Sequence, residues 1–439
     1  SPGNWTLGRA SRWWLHQSLN SLGEQLESRG LRLVLKKGLT LKVLQELATN
    51  LNVRTIYCSR QYQPWARQLE DTLHNELTKH HIRLECFSGT LLHEPEQIST
   101  NNGTPFKVFS PFWRACLRRP NPPQPINEPK LEPTNQHVES DSIEDWELCP
   151  LDPNWAADWN NLWSPGELGA NSALNTFLAE PVNHYVDGRD IPGESNTARI
   201  SPYLRFGNLS SRQVWNAAYS IKAYQPNMEK PIDKFLSEIG WREFCYHLLF
   251  HFPHIPEEAF NTKFARFPWQ SNDSRLAAWK LGNTGYPIVD AGMRELWKTG
   301  FMHNRVRMIA ASFLTKHLLL DWREGQAWFW DCLLDADLAS NACGWQWVGG
   351  SGADAAPYFR IFNPITQGER FDKAGDYTRK WVPEIRDLPD KFLHRPWDAP
   401  KKILIKAGIK LNEEYPEPIV NHRDARETAL SAYSKIKTL

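Results

Sequence analysis

A cluster of prolines divides this 439-residue chain into two parts of different character. Six prolines lie between Pro120 and Pro133, and an acidic, polar stretch follows at 139–147. Because proline has a fixed φ and no backbone N–H, such a segment is excluded from helix and sheet interiors. We therefore predict a Pro-rich and acidic linker over 119–167, which separates an N-terminal domain (1–118) from a C-terminal domain (168–439).

The N-terminal part alternates strand-like and helix-like segments. Short β-type runs are found at 31–35, 53–58 and 82–87, and helical apolar spacing at 9–29, 40–51 and 65–81. This alternation predicts a parallel sheet in an incomplete, Rossmann-like α/β domain. Because a helix comes first and three strands make a thin sheet, we expect one or two leading strands to be missing from this sequence.

The C-terminal part has mostly helical apolar spacing, which predicts an all-α domain. Helices are expected at 173–178, 211–219, 234–252, 275–281, 289–298, 303–320 and 327–333.

The bulk composition excludes some classes of protein. No apolar run approaches the roughly 20 residues that a membrane span needs. The seven cysteines show no metal-type spacing, so we expect reduced thiols, no bound metal and a cytoplasmic location. The net charge of +1 does not indicate a nucleic-acid-binding protein, although a local basic patch is compatible with it. We also expect a monomer that does not bind membranes.

Four segments of the helical part combine polar and aromatic side chains at spacings that suit a ligand. In the first, Ser201 followed by proline fits the N-cap and first turn of a helix. A helix N-terminus binds phosphate through its free N–H groups, and Thr197 and Arg199 could add a hydroxyl and a charge. The alternative is an ordinary capped helix.

The next two segments could hold a planar, hydrogen-bonding ligand. Glu238, Trp241 and Arg242 lie on adjoining parts of one helix face and could bind a base. Asn304 and Met308 share a face at i, i+4, where an amide and an adaptable apolar side chain could also meet a base. The alternatives are a surface ion pair beside a core tryptophan and simple packing of the methionine.

The fourth segment, 335–347, contains two aspartates, an asparagine and two tryptophans. Asp337 and Asn341 are spaced i, i+4 and could face one polar ligand, and the alternative is a capped helix with core tryptophans. Together the four segments suit a bound dinucleotide and a nucleobase substrate.

At these residues the chain resembles the photolyase/cryptochrome family, from about Ala10 to the C-terminus. Two long runs, GYPIVDAGMRELWKTGFMHNRVRMIAASFLTKHLLLDWREG and DADLASNACGWQW, are very specific. Within the family, MHNR together with EIGW and WQW resembles class I photolyases, which repair cyclobutane pyrimidine dimers in DNA. The resemblance therefore implies a light-driven deoxyribodipyrimidine photo-lyase, and a cryptochrome-type blue-light photoreceptor is the alternative.

The resemblance also implies that the C-terminal domain binds FAD, which is active in its reduced form, FADH−. Carried over by position, the FAD contacts would be Tyr185, Thr197, Arg199, Ile200, Ser201, Phe235, Arg242, Arg307, Asp335, Asp337 and Asn341. Arg307 would pair with Asp335, and Asn341 would lie beside the flavin N5 and favour the reduced flavin. Ala198 stands where a hydroxyl residue is common in the family, so one phosphate contact is expected to be lost.

The same resemblance implies a UV-damaged DNA substrate whose dimer flips out of the helix into a pocket. Glu238 and Asn304 would hydrogen-bond the dimer bases, and Glu238 would also stabilise the dimer radical anion. The remaining substrate contacts would be Trp241, Met308 and Trp347 in the pocket, and Arg189, Arg305 and Arg360 on flanking phosphates. Trp345, Trp322 and Trp269 fall where the family keeps its electron-transfer chain, although each alone is typical of a core residue.

The antenna chromophore stays open at this point. Family members begin with a strand that carries a WFRRDLRLxDN-like motif, which this sequence lacks. Trp65 and Ala66 stand where folate-binding members have an Asn-Glu pair. Folate, deazaflavin and no antenna are all compatible with the sequence.

Overall fold

The computed structural model describes residues 2–133, 136–150 and 152–437. The chain divides into two compact units. The first contains the described residues of 1–180 together with Ala198–Pro253, and the second contains Pro181–Thr197 and the described residues of 254–439. The two units are the parts of the chain with the most contacts within themselves. The three-part domain organisation inferred from the sequence stays a prediction.

Helices make up most of the regular structure. In chain order they are α1 (Arg9–Glu27), α2 (Thr40–Asn50), α3 (Pro64–Lys79), α4 (Phe109–Leu117), α5 (Glu167–Ala179), α6 (Tyr185–Gly188), α7 (Ser201–Phe206), α8 (Ser211–Tyr224), α9 (Glu229–His251), α10 (Asp273–Leu281), α11 (Pro287–Thr299), α12 (Asn304–Ser312), α13 (Trp322–Cys332), α14 (Leu338–Gly349), α15 (Pro364–Phe371), α16 (Asp376–Trp381), α17 (Asp390–Leu393), α18 (Lys401–Lys406) and α19 (His422–Lys437). Within the described ranges, none of the helices is both long and apolar enough to cross a membrane.

The first unit contains a small parallel sheet. Strands β1 (Thr55–Ser59) and β2 (Arg83–Phe87) pair in register from Thr55 opposite Arg83 to Ser59 opposite Phe87. The crossover between them is α3, whose Leu73 and Leu77 pack with Leu84 of β2. This β–α–β arrangement confirms the parallel α/β prediction for the N-terminal part.

The prediction of a strand at 31–35 was wrong. These residues belong to neither strand among the described residues. Their backbone instead bonds to the segment before α5. The Leu35 N–H donates to Ser140 Oγ (2.9 Å), and the Leu35 carbonyl accepts from the Asp141 N–H (2.8 Å). The residues at 31–35 have the apolar pattern of a strand. A strand also needs a neighbouring strand with which its backbone can form hydrogen bonds.

The long helix α9 forms the centre of the helical part of the first unit. Eleven of its residues are buried, including Phe235, Ile239 and Glu243. The Glu243 carboxylate accepts the backbone N–H groups of Leu92 (2.9 Å) and His93 (3.3 Å). Burial raises the pKa of Glu243 to about 7. This carboxylate therefore ties the loop after β2 to α9.

The second unit contains many short helices, and several of them have a capping residue at one end. Asp321 and Asp337 cap α13 and α14 by accepting backbone N–H groups, and His303 caps α12 in the same way. Gly300 ends α11 with a φ of 67°, a left-handed conformation that glycine adopts without strain. The three N-caps determine the residues at which α12, α13 and α14 begin.

The helix predicted at 303–320 is divided in the structure. The α-helix α12 ends at Ser312, and a π-helical turn at Phe313–His317 follows it. The helical turn ends at His317, three residues before the end of the predicted segment, and Leu319 then takes a positive φ of 53°. The prediction was correct in its position but wrong in its continuity, because apolar spacing alone does not distinguish α from π turns.

Lys316 in this π turn gives a testable pH dependence. Its side chain is 1% exposed, with Nζ donating to the Arg360 carbonyl (3.2 Å), and burial lowers its pKa to about 7. The unfolded chain, in which a lysine has a pKa of about 10.4, binds more protons between pH 7 and 10.4, so the free energy of unfolding rises with pH across that window. We expect Lys316→Met to remove this rise and to stabilise the protein by about 1–2 kcal/mol at pH 7 and below. Denaturant unfolding at several pH values measures this, with exposed Lys410→Met as control, and an unchanged pH profile in Lys316→Met would contradict it.

Candidate functional site

An ion pair joins α12 to the turn before α14 in the second unit. Arg307 donates from Nη2 to Asp335 Oδ2 at 2.9 Å, and its Nε donates to the Met302 carbonyl at 2.7 Å. The Asp335 side chain is 6% exposed and that of Arg307 is 23% exposed. The pair expected from the resemblance is therefore formed, with the carboxylate buried and the guanidinium partly accessible.

The two polar residues predicted to face a ligand at the start of α14 have different roles. Asp337 is the N-cap residue, and its carboxylate accepts the Ser340 N–H at 2.8 Å. Asn341 is half-buried, and its Nδ2 donates to the Gln326 carbonyl of α13 at 3.0 Å. Asp337 thus caps the helix, and Asn341 is held in a fixed orientation with part of its side chain accessible.

The three tryptophans expected to carry electrons lie in the second unit at different depths. Trp345 and Trp322 are 2% and 1% exposed, and Trp269 is partly exposed. The ring of Trp345 contacts Phe329 (centroids 5.0 Å apart) and Trp279 (6.1 Å) edge-on. Sequence reasoning did not single out these two neighbours, since nothing in the spacing distinguishes them from other core aromatics.

Trp345 also lies directly against the backbone of α13. A Cβ atom at Gly325 would overlap the Trp345 ring, whereas a Cβ at Gly344 would have nothing within 4 Å. We expect Gly325→Ala to destabilise the protein by about 1–3 kcal/mol and to displace the indole. Gly344→Ala, also inside a helix, should be neutral or stabilising by up to about 1 kcal/mol. Thermal unfolding of the two variants measures the difference, and equal stabilities would contradict this packing.

The segment around α7 in the first unit differs from its prediction in one respect. Ile200, not Ser201, occupies the N-cap position, and Ser201 is the first helical residue. Arg199 has a φ of 49°, in the sparsely populated left-handed region, and its guanidinium lies over the Trp163 ring at 4.5 Å. Ile200 and Pro202 are buried. The Ser-Pro pattern located the start of the helix, but the capping residue was assigned one position too late.

Glu238 and Arg242 lie on α9 with contacts inside the first unit. Glu238 lies 3.3 Å from the Lys234 ammonium, and its side chain is 28% exposed. Arg242 donates to the Thr90 carbonyl (2.8 Å) and to Ser211 Oγ (3.2 Å). Arg242 is thus fixed by the loop after β2 and by α8. Both residues remain candidate contacts for the predicted ligand.

Trp241 lies between these two residues in sequence and is half-buried. The Phe109 ring of α4 stacks on its indole with centroids 3.8 Å apart and planes 9° apart. Phe109 was missed in the sequence, because it lies 132 positions earlier, next to the proline-rich segment, where no helix was expected.

The predicted base contacts of α12 share a face as expected. Asn304 is exposed at the first position of the helix, and its Nδ2 lies 4.0 Å from the Met308 sulfur. Trp347, on α14, is half-buried. Each keeps an accessible part that a ligand could contact.

The three arginines predicted to bind phosphates differ in their surroundings. Arg305 donates to Asp190 at 2.7 Å and lies over the Phe371 ring at 4.3 Å. Arg189 lies over the Tyr185 ring at 5.6 Å, and Arg360 is exposed. The ion pair of Arg305 was missed in the sequence, because Asp190 lies far away along the chain.

The other predicted cofactor contacts are divided between the units. Tyr185 is buried at the start of α6, and Thr197 is half-buried, both in the second unit. Phe235 is buried in the first unit, where it packs against Phe177 with ring centroids 4.7 Å apart. No group of three His, Cys, Asp or Glu side chains able to hold a metal occurs among the described residues.

Comparison with known proteins identifies the family. Residues 235–435 match the family model described as the FAD binding domain of DNA photolyase, and residues 1–130 match the one described as DNA photolyase. A deoxyribodipyrimidine photo-lyase of Agrobacterium fabrum is 47% identical over 432 residues, which cover 98% of this chain and 90% of the relative. Cryptochrome-2 of Arabidopsis thaliana is 36% identical, covering 99% of this chain and 73% of the relative.

The crystal structure of a bacterial class III photolyase from Agrobacterium tumefaciens is similar to this structure. The two structures superpose with a TM-score of 0.96 and 47% sequence identity, and the superposition covers 98% of this chain and 89% of the Agrobacterium tumefaciens chain. The class I assignment made from the sequence receives no support from this similarity. The matches over nearly the whole length show that the chain belongs to the photolyase/cryptochrome family and carries the FAD-binding domain of that family.

Proposed function

We propose that this protein repairs cyclobutane pyrimidine dimers in DNA by a light-driven reaction of bound, reduced FAD. The observation that carries the proposal is the set Arg307, Asp335 and Asn341, which lies within the span that matches the FAD-binding domain. At 47% identity, the relative from Agrobacterium fabrum bears the name deoxyribodipyrimidine photo-lyase, which supports this substrate class.

The donor set of the second unit fits a flavin. A flavin ring presents alternating carbonyl acceptors and an N–H donor along its polar edge. Arg307 supplies N–H donors, Asp335 an acceptor, and Asn341 both kinds of group. Because the ion pair and the hydrogen bond from Asn341 to the Gln326 carbonyl hold these side chains, they would be ordered before the cofactor binds. We propose that the remaining residues carried over from the resemblance also contact FAD, namely Tyr185, Thr197, Arg199, Ile200, Ser201, Phe235, Arg242 and Asp337.

When bound and reduced, FAD would supply, after it absorbs light, the electron that opens the dimer, and this electron would return to the flavin once the ring has split. The residues of the chain bind and orient the substrate. We propose that Glu238 and Asn304 hydrogen-bond the dimer bases, that Trp241, Met308 and Trp347 contact their faces, and that Arg189, Arg305 and Arg360 hold flanking phosphates. The phosphate contacts are independent of sequence, so this part of the affinity should fall with salt.

We propose Trp345, Trp322 and Trp269 as the path along which external electrons reduce oxidised FAD. The exposure of Trp269 supports its place at the surface end of this path, since it is partly exposed and could meet a reductant in solvent, whereas Trp345 and Trp322 are buried. Within the family we place the protein with the class III photolyases, on its similarity to the structure from Agrobacterium tumefaciens. An antenna chromophore, a monomeric state and a cytoplasmic location stay predictions.

The test uses a short single strand that contains one thymine dimer. Dithionite-reduced protein is mixed with it, and the loss of the dimer is followed under blue light and in the dark, with a (6-4) photoproduct strand as the substrate control. We expect loss of the cyclobutane dimer in light only, and no change in the (6-4) strand. Bound FAD without dimer loss would reject the proposal and favour a cryptochrome-type photoreceptor, as the similarity to cryptochrome-2 would then suggest.

A further inference from the structure

Three aromatic rings of the first unit lie parallel to one another at the junction of α4 and α9. The Phe109 ring is 3.8 Å from the Trp241 ring, centroid to centroid, with planes 9° apart. Trp113, one turn further along α4, is 6.4 Å from Phe109 with planes 12° apart. At a centroid distance of 3.8 Å the Phe109 and Trp241 rings overlap nearly face to face, so Phe109 covers one face of the indole.

Two features of α9 hold this stack in place. A Cβ atom at Gly240 would lie 2.7 Å from the Trp113 ring, so the absence of a side chain lets α4 approach α9 closely. Phe244, which is 2% exposed, meets both Phe109 and Trp241 edge-on, with centroids 6.0 Å away in each case. The Trp241 indole therefore has one face and one edge against fixed aromatic rings.

We propose that Phe109 is a positioning residue that orients the Trp241 indole for the damaged bases. This inference rests on the function proposed above, in which Trp241 contacts the dimer. An indole has two faces. Phe109 covers one of them, and the proposal assigns the other to a base. Because the stacked indole of Trp241 cannot rotate freely, its side-chain conformational entropy is lost when the protein folds and not when DNA binds. The contribution of Phe109 thus appears in affinity for damaged DNA.

The flatness of Phe109, and not its volume, is the property that the inference requires. Leucine and methionine would fill similar space without a planar face, whereas tyrosine would keep the face. The test therefore compares Phe109→Leu and Phe109→Tyr, with Phe87→Leu, an exposed phenylalanine of the same unit, as the matched control. Phe109→Met supplies the same test if Phe109→Leu fails to fold.

The measurements use the FAD-loaded full chain. Dissociation constants are measured in the dark for a thymine-dimer strand and for the same strand undamaged, followed by KM and repair per absorbed photon at saturating substrate. For Phe109→Leu we expect an affinity for the dimer strand about three- to tenfold weaker, a KM raised equally, and an unchanged yield at saturation. Binding of the undamaged strand and FAD content should not change, and Phe109→Tyr should match the unsubstituted protein.

The alternative outcomes are distinct. Equal dimer affinities of Phe109→Leu and the unsubstituted protein would overturn the inference while leaving the proposed function standing. A Phe109→Tyr protein as weak as Phe109→Leu would also overturn it, because the planar face would then not matter. If the unsubstituted protein shows no preference for the dimer strand, the proposed function and the inference fall together.

Discussion

Replacing Arg307 by alanine should destabilise the protein by about 3 kcal/mol and greatly reduce its FAD content. The substitution leaves the Asp335 carboxylate, whose side chain is 6% exposed, without its cation at 2.9 Å. Removing one partner of a buried ion pair is costly because the remaining charge keeps its desolvation penalty. Denaturant unfolding gives the stability, and the ratio of flavin to protein absorbance gives the FAD content.

The matched control is Arg423→Ala in α19. Arg423 forms an ion pair with Glu427 at 3.3 Å, and both side chains are largely exposed, at 85% and 63%. Exposed pairs contribute roughly 0–1 kcal/mol, so this variant should retain both stability and FAD. If Arg307→Ala behaves like Arg423→Ala, the pair with Asp335 neither organises α12 and α14 nor holds the cofactor.

Replacing Trp322 by phenylalanine should slow photoreduction of oxidised FAD at least about tenfold and leave repair by pre-reduced protein unchanged. Phenylalanine is much harder to oxidise than tryptophan, so it interrupts a path that runs through this position. The substitution keeps an apolar ring at a site that is 1% exposed, and we expect only a small cost in stability of about 1 kcal/mol. The rate of flavin bleaching under blue light with an external reductant measures the effect.

Trp13→Phe is the control for this variant, since Trp13 is also buried, at 3% exposure, but belongs to the first unit. It should photoreduce at the normal rate. Normal photoreduction in Trp322→Phe would remove Trp322 from the path and direct attention to Trp279, whose ring contacts that of Trp345.

The sequence predicted those helices and breaks that depend on residues close together along the chain. Apolar spacing located α1, α3, α9 and α11 to within a few residues, and the proline cluster marked a described segment without α-helix or strand at 119–133. The pairing of Arg307 with Asp335 followed from the family resemblance, because the two residues are 28 positions apart. Spacing alone could not have indicated that contact.

The failures have a common physical cause. The run at 31–35 has the composition of a strand, but strand formation depends on a partner that its own residues do not specify. The π turn after α12 and the stack of Phe109 on Trp241 likewise depend on tertiary packing. The surroundings of a candidate site residue such as Arg305, which pairs with Asp190, also come from distant parts of the chain.

The most direct test of the account is the action spectrum of dimer repair. Fully reduced protein that contains FAD alone is illuminated at a series of wavelengths, and dimers lost per incident photon are compared with the absorption spectrum of the reduced flavin in the same sample. We predict that the two curves coincide at all wavelengths beyond protein absorption, with no loss in the dark. Loss of dimers only where tryptophan absorbs, or equal loss in the dark, would contradict repair by light that FAD absorbs.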